Sequence, residues 1–187
     1  MEEILKSISE KISSYNIFNN LFPGIIFCSV MTKITRFNFA TDTIIEQFFM
    51  WYFIGMVISR IGSIFVEDTL KKIKIKGKPY LVFADYKQYT TASEANPFIA
   101  TLSETNNTYR TTISLLICIG AFYFYDSFIY DWIIKKCAVG NKLVALVGGV
   151  FLIILFIKSY KKQTEYVKKQ VEKYMNYAHS CISQLAF

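Results

Sequence analysis

Apolar residues in this chain fall in four long blocks separated by polar segments, and the block spacing predicts helices rather than strands. The clearest block is Ile44–Val66, IIEQFFMWYFIGMVISRIGSIFV, 23 residues long. A helix needs roughly 20 apolar residues to cross a bilayer. Ile17–Thr32 is a shorter block whose start is interrupted by Asn19, Asn20, Pro23 and Gly24. Pro23 is expected in the first turn of that helix, where its missing N–H costs nothing; the other reading is a kinked span with both asparagines turned towards protein or water. Thr111–Ile134 is the third block and carries Asp126 and Asp131 at its far end. Leu143–Ile157 is the fourth and the most purely apolar, with Gly148 and Gly149 in its middle.

The polar segments have patterns of their own. Residues 1–16 place Ile4, Ile8 and Ile12 on one stripe, as an amphipathic helix at a membrane surface does. No cleaved signal is expected in a start carrying Glu2, Glu3, Lys6, Glu10 and Lys11. Residues 67–110 open on the lysine run Lys71, Lys72, Lys74, Lys76 and Lys78, broken by Gly77 and Pro79. A helix is expected over Phe83–Ala95, ended by Asn96-Pro97, and a second runs from Phe98 without a break into the third span. Residues 158–187 continue the fourth span as a charged helix. Tyr160, Thr164, Val167, Val171, Tyr174 and Ala178 recur on it at intervals of three and four, a heptad-like stripe flanked by Lys and Glu. That stripe is expected to pack on the cytoplasmic segment, on its own copies in an oligomer, or on a soluble partner.

The pattern therefore predicts an all-α integral membrane protein: 1–16 an amphipathic helix, 17–66 transmembrane helices 1 and 2, 67–110 a cytoplasmic helical segment, 111–157 transmembrane helices 3 and 4, and 158–187 a cytoplasmic C-terminal helix. Composition agrees, with 53% hydrophobic and 17% aromatic residues. Of the 21 Lys and Arg residues, two precede the first span, seven lie in the middle segment and six in the tail. Five lie in the two short connections, and Arg60 is inside a span. The positive-inside rule puts both termini and the middle segment in the cytoplasm. The net charge of +7 is then read as basic flanks meeting anionic membrane lipids, and direct nucleic-acid binding is not expected.

Chemistry is sparse. One histidine, His179, cannot build a nucleophile–base set, and no phosphate-binding glycine loop is present. Cys28, Cys118, Cys137 and Cys181 form no CxxC pair. No catalytic, cofactor-binding or metal residue is assigned, and an enzyme is not expected.

The informative residues concern packing. Gly55, Ser59 and Ser63, with Gly62 beside them, make a small-residue face on the second span, where small side chains let backbones approach in lipid. Ala145 and Gly149 are a weaker copy on the fourth. Arg60 lies about 9 Å from the inner end of its helix. It either snorkels to the interface or pairs with Glu104 or Glu67. Ser103–Thr112 is very polar for a helix entering a membrane. Glu104, Asn107 and Arg110 are expected there in a juxtamembrane network, either a hydrogen-bonded lid or a joint between cytoplasm and spans. Glu46 and Asp126 are expected at the outer interface. A pore would use them with Gln47 as polar lining.

The segments FIGMVISRIGSIFVE (53–67), FADYKQY (83–89) and LSETNNTYRT (102–111) resemble small four-span bacterial membrane proteins found with phage-defence genes, such as the membrane subunit of the Kiwa system. The resemblance implies an inner-membrane homo-oligomer, a tetramer, that senses phage attack and works with a soluble, DNA-binding cytoplasmic effector. The reading it supports is a sensor or scaffold; the alternative is an oligomeric pore or membrane-disrupting effector.

Overall fold

The computed structural model describes residues 14–132 and 141–185, with side chains over 15–132 and 143–176. The amphipathic stretch 1–16 lies almost wholly outside these residues, as do most of the second short connection and the side chain of Ala178. Four helices are long and apolar enough to cross a membrane, and the fold is all-α apart from one small hairpin.

Helix α1 consists of Ser14–Asn16, a π-helical turn Ile17–Leu21 and Phe22–Ile34. Helix α2 consists of Ile44–Ile61, a π-turn Gly62–Val66 and Glu67–Lys72. The Thr43 side chain caps it by accepting from the Glu46 N–H. Strands β1 (Lys74–Ile75) and β2 (Lys78–Pro79) form an antiparallel hairpin turning at Lys76 and Gly77, both at positive φ. Helix α3 is Tyr86–Ala95, capped by Asp85. Helix α4 is Phe98–Phe124 with a π-turn at Tyr125–Ile129, and helix α5 is Asn141–Leu185.

Pro23 sits in the first turn of the α-helical segment Phe22–Ile34, as expected, but the helix does not begin there, because that segment is preceded by the π-turn. The same turn aims Asn19 and Asn20 into the protein, and both are buried. Helix α3 starts three residues later than the pattern suggests, because Tyr80–Asp85 stays irregular.

Helices α1, α2 and α4 form one tight unit. Its apolar centre is Phe27, Cys28, Met31, Ile58 and Leu115, with Trp51, Ile54 and Phe122 packed around it. The closest approach is α1 against α2 at Gly24 and Gly55. A Cβ on Gly24 would fall on the Trp51 carbonyl, and one on Gly55 on the Asn20 carbonyl. Helix α5 stands apart from this unit. Only Leu155 of its apolar half is buried. Phe53 meets Phe156 and Phe65 meets Phe151, each pair with ring centres 6.4 Å apart. Lys162 meanwhile reaches Ser63, so the contacts do not advance in step along the two helices, and α5 crosses α2 obliquely instead of lying beside it.

Candidate functional site

Buried polar side chains join the three tight helices at two levels. In the middle, the Asn19 amide donates to Ser59 Oγ (2.8 Å) and its Oδ1 accepts from the Thr111 hydroxyl (2.6 Å). One side chain of α1 thereby ties α2 to α4. The Ser114 hydroxyl adds a bond to the Ile58 carbonyl at 2.8 Å. It can reach because Gly62 leaves room beside it, the Ser114 Cβ lying 3.2 Å from where a Gly62 Cβ would be. Unsatisfied polar groups are costly away from water, so these bonds fix which faces of the helices meet.

The second level is the C-terminal end of α2. Glu67 follows directly after the π-turn Gly62–Val66, and its side chain is 8% exposed. Its Oε2 accepts from Arg110 Nη1 of α4 at 2.6 Å. Its Oε1 accepts from Lys71 of the same helix at 2.6 Å and from Lys162 of α5 at 3.2 Å. Lys162 also donates to the Ser63 carbonyl (2.8 Å) and hydroxyl (3.1 Å). A wider, irregular π-turn presents a carbonyl that a straight α-ladder would keep for itself. One carboxylate thus holds cations from three helices. Burial pulls the Glu67 carboxyl upward. The hydrogen bond from Lys71 and the charges of Lys162 and Arg110 outweigh it and keep the group below its ordinary value of 4.5.

Below this joint, α5 leans on α3. Tyr86 and Tyr166 stack with ring centres 5.5 Å apart, the Tyr86 hydroxyl lies 3.4 Å from Gln170 Oε1, and buried Lys173 pairs with Glu94 at 3.0 Å. The face of α5 used here is not the heptad-like stripe. Tyr160, Thr164, Val167, Val171 and Tyr174 are all exposed. The stripe is therefore not absorbed by segment 67–110, one of the packings expected of it.

At the opposite end of the helices, Arg36 in the α1–α2 connection reaches α4. It makes an ionic contact with Asp126 (2.7 Å), a hydrogen bond to Asp131 (2.7 Å) and one to the Asp126 carbonyl (3.0 Å), and lies over the Tyr130 ring at 4.4 Å. The hydrogen bond to Asp131, with the charges of both carboxylates, raises the guanidinium pKa further. Asp126 sits in the π-turn Tyr125–Ile129 and is buried, so the expected interfacial exposure is corrected. Gln47 is also engaged, donating to the Phe39 carbonyl and accepting from the Thr41 N–H. Glu46 is exposed.

Several residues stand differently from their sequence reading. Arg60 is half-buried and makes no ion pair or hydrogen bond among the described residues. Pairing with Glu67 or Glu104 is therefore corrected: Arg110 takes Glu67, and Glu104 is exposed and offers only its carbonyl, to Thr108. Asn107 is half-buried beside them. Ala145 is exposed and Gly149 has nothing within 4 Å of a Cβ position, so the second small-residue face packs on nothing among the described residues. Gly55, Ser59, Gly62 and Ser63 all lie at helix contacts.

Sequence reasoning missed Thr111, Ser114, Lys162 and Arg36. It held open that Asn19 and Asn20 turn towards protein, and both are buried; nothing marked Lys162 among six tail lysines. Among the described residues no group of side chains could hold a metal ion. No family model, curated protein or solved structure matches the chain.

Proposed function

We propose that this chain is a multi-pass membrane scaffold. Its rigid three-helix unit passes a change in the membrane to a cytoplasmic helix that recruits a soluble effector. The observation that carries the reading is the Glu67 joint. A single carboxylate at the end of α2 binds α4 through Arg110 and α5 through Lys162, so a shift between the spans must strain the root of α5. Beyond that root, α5 offers the exposed stripe Tyr160, Val167, Val171 and Tyr174. Exposed tyrosine and valine between charged flanks suit a protein interface.

The orientation rests on charge: both termini and the middle segment carry the lysines and lie in the cytoplasm, in a bacterial inner membrane. The defence role, homo-tetrameric assembly and a DNA-binding effector rest on the resemblance of segments 53–67, 83–89 and 102–111. The geometry favours this scaffold over a pore, since Asp126 and Gln47 are engaged within the chain.

The test is capture of soluble proteins from the native host by tagged full-length chain, alongside membrane-potential measurements on cells expressing it alone. The expected result is a defined co-purifying protein, lost on deletion of residues 161–187 and on replacing the four stripe residues with Ser, with no depolarisation. Depolarisation by the chain alone, or capture unaffected by both changes, would sink the scaffold reading.

A further inference from the structure

Residues 71–85 form fifteen consecutive exposed positions. Lys72, Lys74, Lys76 and Lys78 lie in it, and the first acidic residue after Asp68 is Asp85. Ile73, Ile75, Tyr80, Leu81, Val82 and Phe83 lie there too, all exposed, with Val82 at 83%. The hairpin pairing interleaves the two kinds. Ile75 lies opposite Lys78, and Tyr80 N–H donates to the Ile73 carbonyl (2.9 Å), so Ile73, Ile75 and Tyr80 share one face with Lys78; Lys74 lies opposite Pro79 on the other.

Both feet of this segment are fixed at one level. Lys72 ends the helix six residues beyond Val66, about 9 Å along its axis. Phe83 returns to place its ring 4.5 Å from Lys71 Nζ, the lysine that touches Glu67. From those feet four extended residues reach roughly 13 Å to the turn. The whole segment is therefore tethered within headgroup distance of the inner end of α2. A lysine set without arginine, mixed with aliphatic side chains and one tyrosine, is poorly suited to reading nucleic acid, whose interfaces are polar and favour arginine. It matches an anionic bilayer surface, where lysines meet phosphates and apolar side chains enter the acyl boundary.

We infer that residues 72–83 are a sensor of anionic phospholipid in the cytoplasmic leaflet. This rests on the reading that α2 spans the membrane. Each lysine near such a surface shifts partitioning by roughly fivefold, so docking follows leaflet charge steeply. A depleted or masked leaflet releases the hairpin, and with it Phe83 and the chain leading to α3, on which α5 leans.

The test is amide hydrogen exchange of the full chain in lipid nanodiscs of phosphatidylcholine alone and of phosphatidylcholine with one-third phosphatidylglycerol. Exchange over 73–83 should slow roughly tenfold or more in the anionic discs only. The slowing should vanish in high salt and in the variant K72Q/K74Q/K76Q/K78Q. Phe98–Phe124 should exchange alike in all samples, which reports an intact fold. Equal hairpin exchange in the two discs, or slowing that survives the quadruple variant, overturns the inference while leaving the spanning reading intact. Slowing in neutral discs on adding duplex DNA, without slowing by anionic lipid, overturns it in favour of nucleic acid. A chain that does not remain in discs overturns the spanning reading and this inference together.

Discussion

Replacing Glu67 with Gln tests the joint at the end of α2 most directly. Lys71 and Lys162 both touch Oε1, at 2.6 and 3.2 Å, so their nitrogens are no more than about 6 Å apart. Two unit charges at that separation repel by roughly 3 kcal/mol at an effective dielectric of 20. In the parent the carboxylate offsets this; in Glu67→Gln nothing does, and the amide NH2 faces other donors. The full repulsion is not realised, because the partners are unequally buried. Lys71 is 40% exposed and can swing into water, whereas Lys162 and Arg110 are 27% and 20% exposed and are more confined. A loss of about 2 to 3 kcal/mol is expected, between the values for exposed and fully buried pairs. For a chain of this size that is roughly 5–10 °C in Tm. Tryptophan fluorescence during heating in detergent reads it, through Trp51 and Trp132. The double variant Glu67→Gln/Lys162→Met should recover part of the loss by removing one stranded cation. Because the folded Glu67 pKa is depressed, its contribution is present above the unfolded value near 4.5 and fades as pH falls through the folded value. The variant should therefore lose part of the parent's acid sensitivity. A Tm within a degree or two of the parent, or no recovery in the double variant, would refute the account.

Two further predictions concern the three-helix unit. Gly55→Ala drives a Cβ into the Asn20 carbonyl, so α1 and α2 must separate. It should cost about 3 kcal/mol or more, whereas Gly149→Ala, with open space around it, should leave Tm unchanged or raised. Asn19→Ala removes two hydrogen bonds at once, and should cost roughly 1–3 kcal/mol at the modest value of such bonds between membrane helices. Ser59→Ala should cost less than half of that in the same melting assay.

The four long apolar helices were legible because block length is a property of the chain alone, and helices of this length and hydropathy need little else to declare themselves. The small-residue row on α2 was also visible, although its partner was not. Gly55 meets α1 at Gly24, and the sequence carries no sign that these glycines face each other. The ion pairs were harder to read. Arg60 stood out as a cation within a span, yet Glu67 chose Arg110. That choice depends on the π-turn at Gly62–Val66, whose one extra residue rotates Glu67 relative to Arg60 and is not encoded in any periodicity of 3.6. The α5 stripe was legible as a pattern, but the helix docks through Lys162, Tyr166 and Lys173 instead, because the tyrosine and carboxylate of α3 and the end of α2 offer specific partners. The hairpin went unseen because its strands are two residues each and look like a lysine run.

Each of α1, α2 and α4 carries one π-turn, and each turn holds or adjoins a buried polar residue: Asn19 and Asn20, Ser63 and Glu67, Asp126. A π-turn is a helix with one residue more than its length requires. The chain downstream is consequently out of phase by about 100° with what an uninterrupted α-helix would present. Deleting a single residue from Gly62–Val66 would keep α2 helical and apolar while turning Glu67 away from Arg110 and Lys162. Length, hydropathy and charge count would barely change, yet the helix would lose its ionic connection to Arg110 of α4 and Lys162 of α5. Single-residue indels in these three turns, silent by every compositional measure, are thus where small genetic changes would most cheaply uncouple the bundle from its tail.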